Sequence, residues 1–64
     1  MNYWEIIADR LSNAGWSWGY MSLIDSDGQM LFKVDAHCDD GRRYIVRADE
    51  LLIAFLELEA TLLL

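Results

Sequence analysis

Between Arg42 and Glu59 the chain reads RRYIVRADELLIAFLELE, and no arrangement that leaves this segment in water is stable. Its first part, Arg43 to Arg47, has the alternation of a short strand. The chain then turns at Ala48–Asp49 into its longest helix. At 100° per residue, Glu50, Ala54, Glu57 and Thr61 fall together on one face. Leu51, Leu52, Phe55, Leu56, Leu58, Leu62 and Leu63 lie opposite, and Ile53 and Leu64 extend the apolar surface. An arc of about 160° is wider than packing on a sheet requires, so upstream segments must supply cover and some of it must go elsewhere. Asp49 is the expected N-cap, and with Glu50 it sets negative charge at the positive end of the helix dipole. Glu59 projects near the middle of the apolar arc. It therefore needs Arg10 or a tyrosine or tryptophan donor, a rotation of the helix that brings it to the rim, or a partner chain.

Upstream, Asn2 and Glu5 form an Asn-x-x-Glu capping box. Tyr3, Trp4, Ile7, Leu11 and Ala14 then repeat at helical spacing, and Gly15 follows in the C′ position, which predicts a first helix over Tyr3–Ala14. From Trp16 the period changes to two. Trp16, Trp18, Tyr20 and Ile24 alternate with Ser17, Gly19, Met21 and Leu23, and Asp25-Ser26-Asp27-Gly28 reads as a hairpin loop. A second strand, Gln29–Cys38, places Met30, Phe32, Val34, Ala36 and Cys38 on one side, with Leu31, Lys33, Asp35 and His37 on the other. After a second turn at Asp39-Asp40-Gly41, the third strand sends Tyr44 and Val46 to the core side and Arg43, Ile45 and Arg47 outward. The expectation is one α+β domain over residues 1–64. It is a two-layer α-β-β-β-α unit, a three-stranded antiparallel meander with both helices on one face.

Sixty-four residues bury only about 60% of the surface the unfolded chain exposes, and Cys38, the single cysteine, cannot form an internal disulfide. With 55% hydrophobic residues in so small a body, self-association is the simplest remedy, and the expected homodimer joins through the second helix at Leu56, Leu62 and Leu63. The start of the chain carries early acids and has no basic region followed by an apolar run. No stretch reaches membrane-spanning length, so a cytoplasmic protein with a reduced thiol and no membrane partner is expected. A net charge of −6 disfavours nucleic acid and favours basic protein surfaces.

Residues with chemical potential are few. His37 and Cys38 are adjacent on a strand and point to opposite faces, which excludes a catalytic dyad between them. Asp35 and His37 share a face, but two ligands make an incomplete metal site, and a cross-strand position beside Arg43 or Ile45 accounts for His37. Asp25-x-Asp27-Gly28 is too short to be a calcium loop. The serines lack a nucleophile-elbow context and no glycine loop cradles phosphate. No enzyme and no cofactor are expected. At least two of Trp4, Trp16 and Trp18 belong in the core. Arg42, Arg43 and Arg47 are expected to pair locally with Asp35, Asp39, Asp40 or Asp49.

The order helix, three strands, helix is similar to that of double-stranded RNA-binding domains over essentially the whole chain. The resemblance implies a sheet with both helices on one face. It does not extend to the RNA-binding residues, because Asp49 and Glu50 stand where that family has a lysine cluster. Trp16-Ser-Trp18-Gly19, Asp35-Ala-His37, Asp40-Gly-Arg-Arg-Tyr-Ile-Val-Arg-Ala-Asp-Glu50 and Ala54-Phe-Leu-Glu-Leu-Glu59 together look like a group of short uncharacterised bacterial proteins. That resemblance implies a bacterial origin, on a mobile element, and no activity. The function expected is a small acidic inhibitor or decoy that presents Asp9, Asp25, Asp27, Asp39, Asp40 and Glu57 to a basic, nucleic-acid-binding protein. Its rival is a nucleic-acid-binding module using Arg42, Arg43 and Arg47.

Overall fold

The computed structural model describes residues 2–64. In chain order they form α1 (Tyr3–Asn13), β1 (Ser17–Ile24), β2 (Met30–His37), β3 (Arg43–Ala48) and α2 (Leu51–Leu62). The strands make one antiparallel sheet in the order β1-β2-β3, as the two local hairpins require. Both helices pack on one face, giving the two-layer α+β arrangement. Among the described residues, no helix is long and apolar enough to cross a membrane.

At the start of α1 the Glu5 carboxylate accepts the Asn2 backbone N–H at 2.9 Å. The helix closes one residue earlier than its spacing implied, with Ala14 as C-cap. Gly15, at φ 92°, lets the Trp16 N–H reach the Leu11 carbonyl at 2.9 Å while its own N–H bonds Ser12. This pair of hydrogen bonds keeps Trp16 out of the strand, and its side chain is buried, 5% exposed. At the β1–β2 turn, Gly28 takes φ 83°, and Asp25 Oδ1 accepts the N–H groups of Asp27 and Gln29, both at 2.9 Å.

The core is Ile7, Ala8 and Leu11 of α1, Trp16 of the α1–β1 connection, Val34 and Ala36 of β2, and Ala54, Phe55 and Leu58 of α2. Trp4 stacks on Phe55 at 5.4 Å and meets Trp18 edge-on at 6.1 Å, and Trp18 Nε1 donates to Ser12 Oγ at 3.1 Å. All three tryptophans thus belong to the core or pack against it. The α1 stripe is centred on Trp4, Ile7, Ala8 and Leu11, which leaves Tyr3 and Ala14 exposed at its margin.

Helix α2 departs most from its sequence pattern. Ala54, placed by the wheel among the polar residues, is fully buried, whereas Leu56 is 40% and Ile53 39% exposed. Leu62 and Leu63, expected at an open seam, are half-buried against the core. The buried face is therefore centred on Ala54, Leu58 and Phe55, rotated roughly 70° from the centre of the leucine arc. A methyl group lets the helix approach its neighbours more closely than a leucine would, and close contact strengthens dispersion across the layer. The same rotation carries Glu59 to the rim, where its Oε2 accepts Arg10 Nη1 at 2.7 Å. The start of α2 also differs: Glu50, not Asp49, occupies the N-cap position and makes no capping bond. Strand β3 runs on through Ala48, paired with Phe32, so packing rather than a cap sets where the helix begins.

Because α1 leads into Ser17 and α2 leaves from Ala48, both helices run from the hairpin tip toward the opposite end of the sheet. Their 11 and 12 residues span about 16–18 Å, whereas eight-residue β1 and β2 span about 27 Å. The tip of the β1–β2 hairpin overhangs its cover. Ile24 and Met30, paired across it, remain 70% and 58% exposed on the helix side.

Candidate interaction site

The uncovered face of the sheet is set by register. Three rows cross it: Ser17–His37–Arg43, Gly19–Asp35–Ile45 and Met21–Lys33–Arg47. Asp35 is the anchor, its Oδ2 accepting Arg43 Nε at 3.2 Å and standing 3.1 Å from Nη2. His37 Nδ1 lies 3.9 Å from the same oxygen, so His37 is the cross-strand neighbour of Arg43 and shares its carboxylate. Two shallow, open depressions flank this trio. One of about 280 Å³ lies over Gly19, Lys33 and Asp35, and one of about 400 Å³ lies beside His37, Cys38 and Arg42. Both are too open to exclude water from a reacting group. Asp35 is held by Arg43, and no group of three His, Cys, Asp or Glu side chains placed to hold a metal ion occurs among the described residues.

The acids expected to meet a partner are split among separate places. Asp25 is half-buried and spends its carboxylate on its own turn, while Asp27 beside it is exposed. Asp49 and Glu50 lie at the same end of the sheet, since Ala48 pairs with Phe32 near the tip. Asp39 and Asp40 occupy the opposite end, about 27 Å away along the strands. There Asp40 is not free. It accepts the Arg42 N–H at 3.0 Å and Nε at 2.7 Å, and the backbone hydrogen bond above all, then the guanidinium, holds its carboxyl below the ordinary value of 3.8. The Arg42 guanidinium also sits 4.9 Å over the Trp16 ring. Glu57 is exposed on α2 and Asp9 on α1.

The arginines follow the local-pairing expectation in two cases. Arg42 takes Asp40 and Arg43 takes Asp35. Arg47 differs: it stands opposite Lys33, with no carboxylate within ion-pair distance among the described residues. The reason is register, which puts like charges rather than Asp35 across from it.

The rotation of α2 builds a surface that the wheel did not anticipate. Ile53, Leu56 and Ala60 run along its solvent side, with Glu50 and Glu57 beside them. The signal lay in Ala54, whose small side chain marks a close approach between layers. No family model matches the chain, and neither a curated protein nor a solved structure matches it.

Proposed function

We propose that this chain is a small acidic, non-enzymatic protein of the bacterial cytoplasm, a mobile-element inhibitor or decoy that binds a protein with a basic surface. One observation carries this reading. Three of the five basic residues, Arg10, Arg42 and Arg43, are held by carboxylates of the same chain, which leaves eight of the eleven acids facing only Lys33 and Arg47. The potential outside the molecule is correspondingly negative. It steers basic surfaces in and phosphates away. The contact falls on the solvent side of α2, where exposed Ile53 and Leu56 supply apolar anchors and Glu57 and Glu50 an acidic rim.

The test is capture from a bacterial lysate with wild-type and variant baits, coupled to gel shifts with duplex RNA and DNA. The expected outcome is a basic protein whose retention falls as salt rises and is lost with Leu56→Glu or Glu57→Lys, with no shift of either nucleic acid. If the chain shifts a duplex and charge reversal at Arg43 and Arg47 abolishes that shift, the decoy reading is wrong.

A further inference from the structure

Strand β1 is an edge of the sheet, and its eight residues, SWGYMSLI, contain no charge and no proline. Natural edges carry such residues because an unprotected one is a template for another strand. The other edge, β3, is protected. Its outward N–H and C=O groups belong to Arg43, Ile45 and Arg47, and a second β3 laid antiparallel would set Arg43 against Arg47. Edge β1 has no such defence.

We propose that β1 pairs with β1 of a second copy of this chain across a two-fold axis, joining two sheets into one of six strands. Hydrogen-bond parity fixes the register. The Asp25 N–H bonds the Gln29 carbonyl, so the odd-numbered residues of β1 bond β2 and the even-numbered ones point their backbone groups outward. Trp18, Tyr20, Ser22 and Ile24 are therefore the donors and acceptors on offer. All four engage when Met21 lies on the axis, opposite its own copy. Trp18 then faces Ile24 of the other chain and Tyr20 faces Ser22, for about eight ladder hydrogen bonds.

Side-chain volumes fit this register on both faces. Large residues meet small ones, Tyr20 against Ser22 and Gly19 against Leu23. Ile24, 70% exposed in one copy, arrives beside Trp18 of the other. There a notch of about 230 Å³ lies between α1 and β1, lined by Trp4, Ala8 and Trp18 with Glu5 and Asp9 at its lip. The overhanging tip of each hairpin is thus covered by the α1 layer of its partner. Helix α1 reaches over Trp18 through Ser12 and over Tyr20 through Trp4, so its two-fold copy lies further along the seam. A seam of about 27 Å and a molecular thickness of 17 Å remove roughly 460 Å² from each copy, the size of a weak, concentration-dependent interface. The seam itself carries no charge, but each body is at −6, so dimerisation strengthens as salt screens that repulsion. This is opposite in sign to capture of a basic partner.

Light scattering and sedimentation on the full chain, at low and high salt, should give twice the monomer mass, with the dimer favoured at high salt. Met21→Lys, at an exposed site on the axis, should weaken association on the order of tenfold or more while the far-UV spectrum stays unchanged. Ser22→Pro should act alike, because the N–H it removes faces the seam and not β2. In a Cys38→Ser background, Met21→Cys should oxidise to a covalent dimer, since facing Cα atoms in that pair lie about 4.5 Å apart. Ser17→Cys, at the far end of the seam from its own copy, should not. A monomer mass at both salts overturns the inference. So does a dimer that survives Met21→Lys but is dissociated by Leu56→Glu, which would put the seam on α2.

Discussion

Replacing Ala54 by leucine tests how α2 is turned on the sheet. Ala54 is fully buried between the layers, among the close-packed side chains of the core. Helix and sheet must separate or neighbouring side chains must leave their rotamers, at a cost of about 1–3 kcal/mol. In a domain of this size each kcal/mol lowers Tm by about 4–8 °C, so a fall on the order of 10 °C is expected. Leu56→Gln is the counterpart. Its side chain is already 40% exposed, so the substitution should cost less than about 1 kcal/mol. Both are read by thermal and urea unfolding at one fixed protein concentration, because association would otherwise shift the apparent Tm. The helical wheel makes the opposite forecast: Ala54→Leu on a polar face would be near neutral, and truncating a buried Leu56 would cost several kcal/mol. That reversed order would refute the rotation of α2 and the position of Glu59 with it.

Two further outcomes follow from the ion pairs. Asp40 has its carboxyl held below the ordinary value by Arg42, so its contribution is present at neutral pH and is lost as pH falls through the lowered value; Asp40→Asn should flatten the acid limb of the stability profile relative to wild type. Glu59, 15% exposed at its side chain and bonded to Arg10, should when changed to Gln lower Tm more than Asp39→Asn does, by an amount that shrinks in high salt; equal effects of the two variants would show that the Arg10 pair holds nothing.

Much of the fold was legible because its signals are local. Gly28 and Gly41 mark tight turns, alternation marks three strands, and Asn2 with Glu5 marks a helix start. Each depends on residues within a few positions of one another. The aromatic core was readable for the same reason, since Trp4 and Trp18 lie on periodic stripes. The candidate surfaces were less legible. Asp25 and Asp40 looked like a display of charge, yet their carboxylates are consumed by N–H groups two or four residues on. Arg47 looked available to a nearby acid, yet cross-strand register gave it Lys33.

The amino-acid pattern alone determined the order of elements, the antiparallel meander and the burial of one helix layer. A period of two or 3.6 with punctuating glycines admits few other compact arrangements. Tertiary structure decided the rotation of α2, because a wheel weighs hydrophobicity and ignores that small Ala54 permits the closest contact. It also decided that Glu59 would meet Arg10, 49 positions away in the chain. Finally, it decided which backbone groups of the β1 edge face outward, because the meander makes β1 an edge but the pairing phase depends on the hydrogen bond from the Asp25 N–H to the Gln29 carbonyl. That phase turns the backbone of Trp18, Tyr20, Ser22 and Ile24 away from β2.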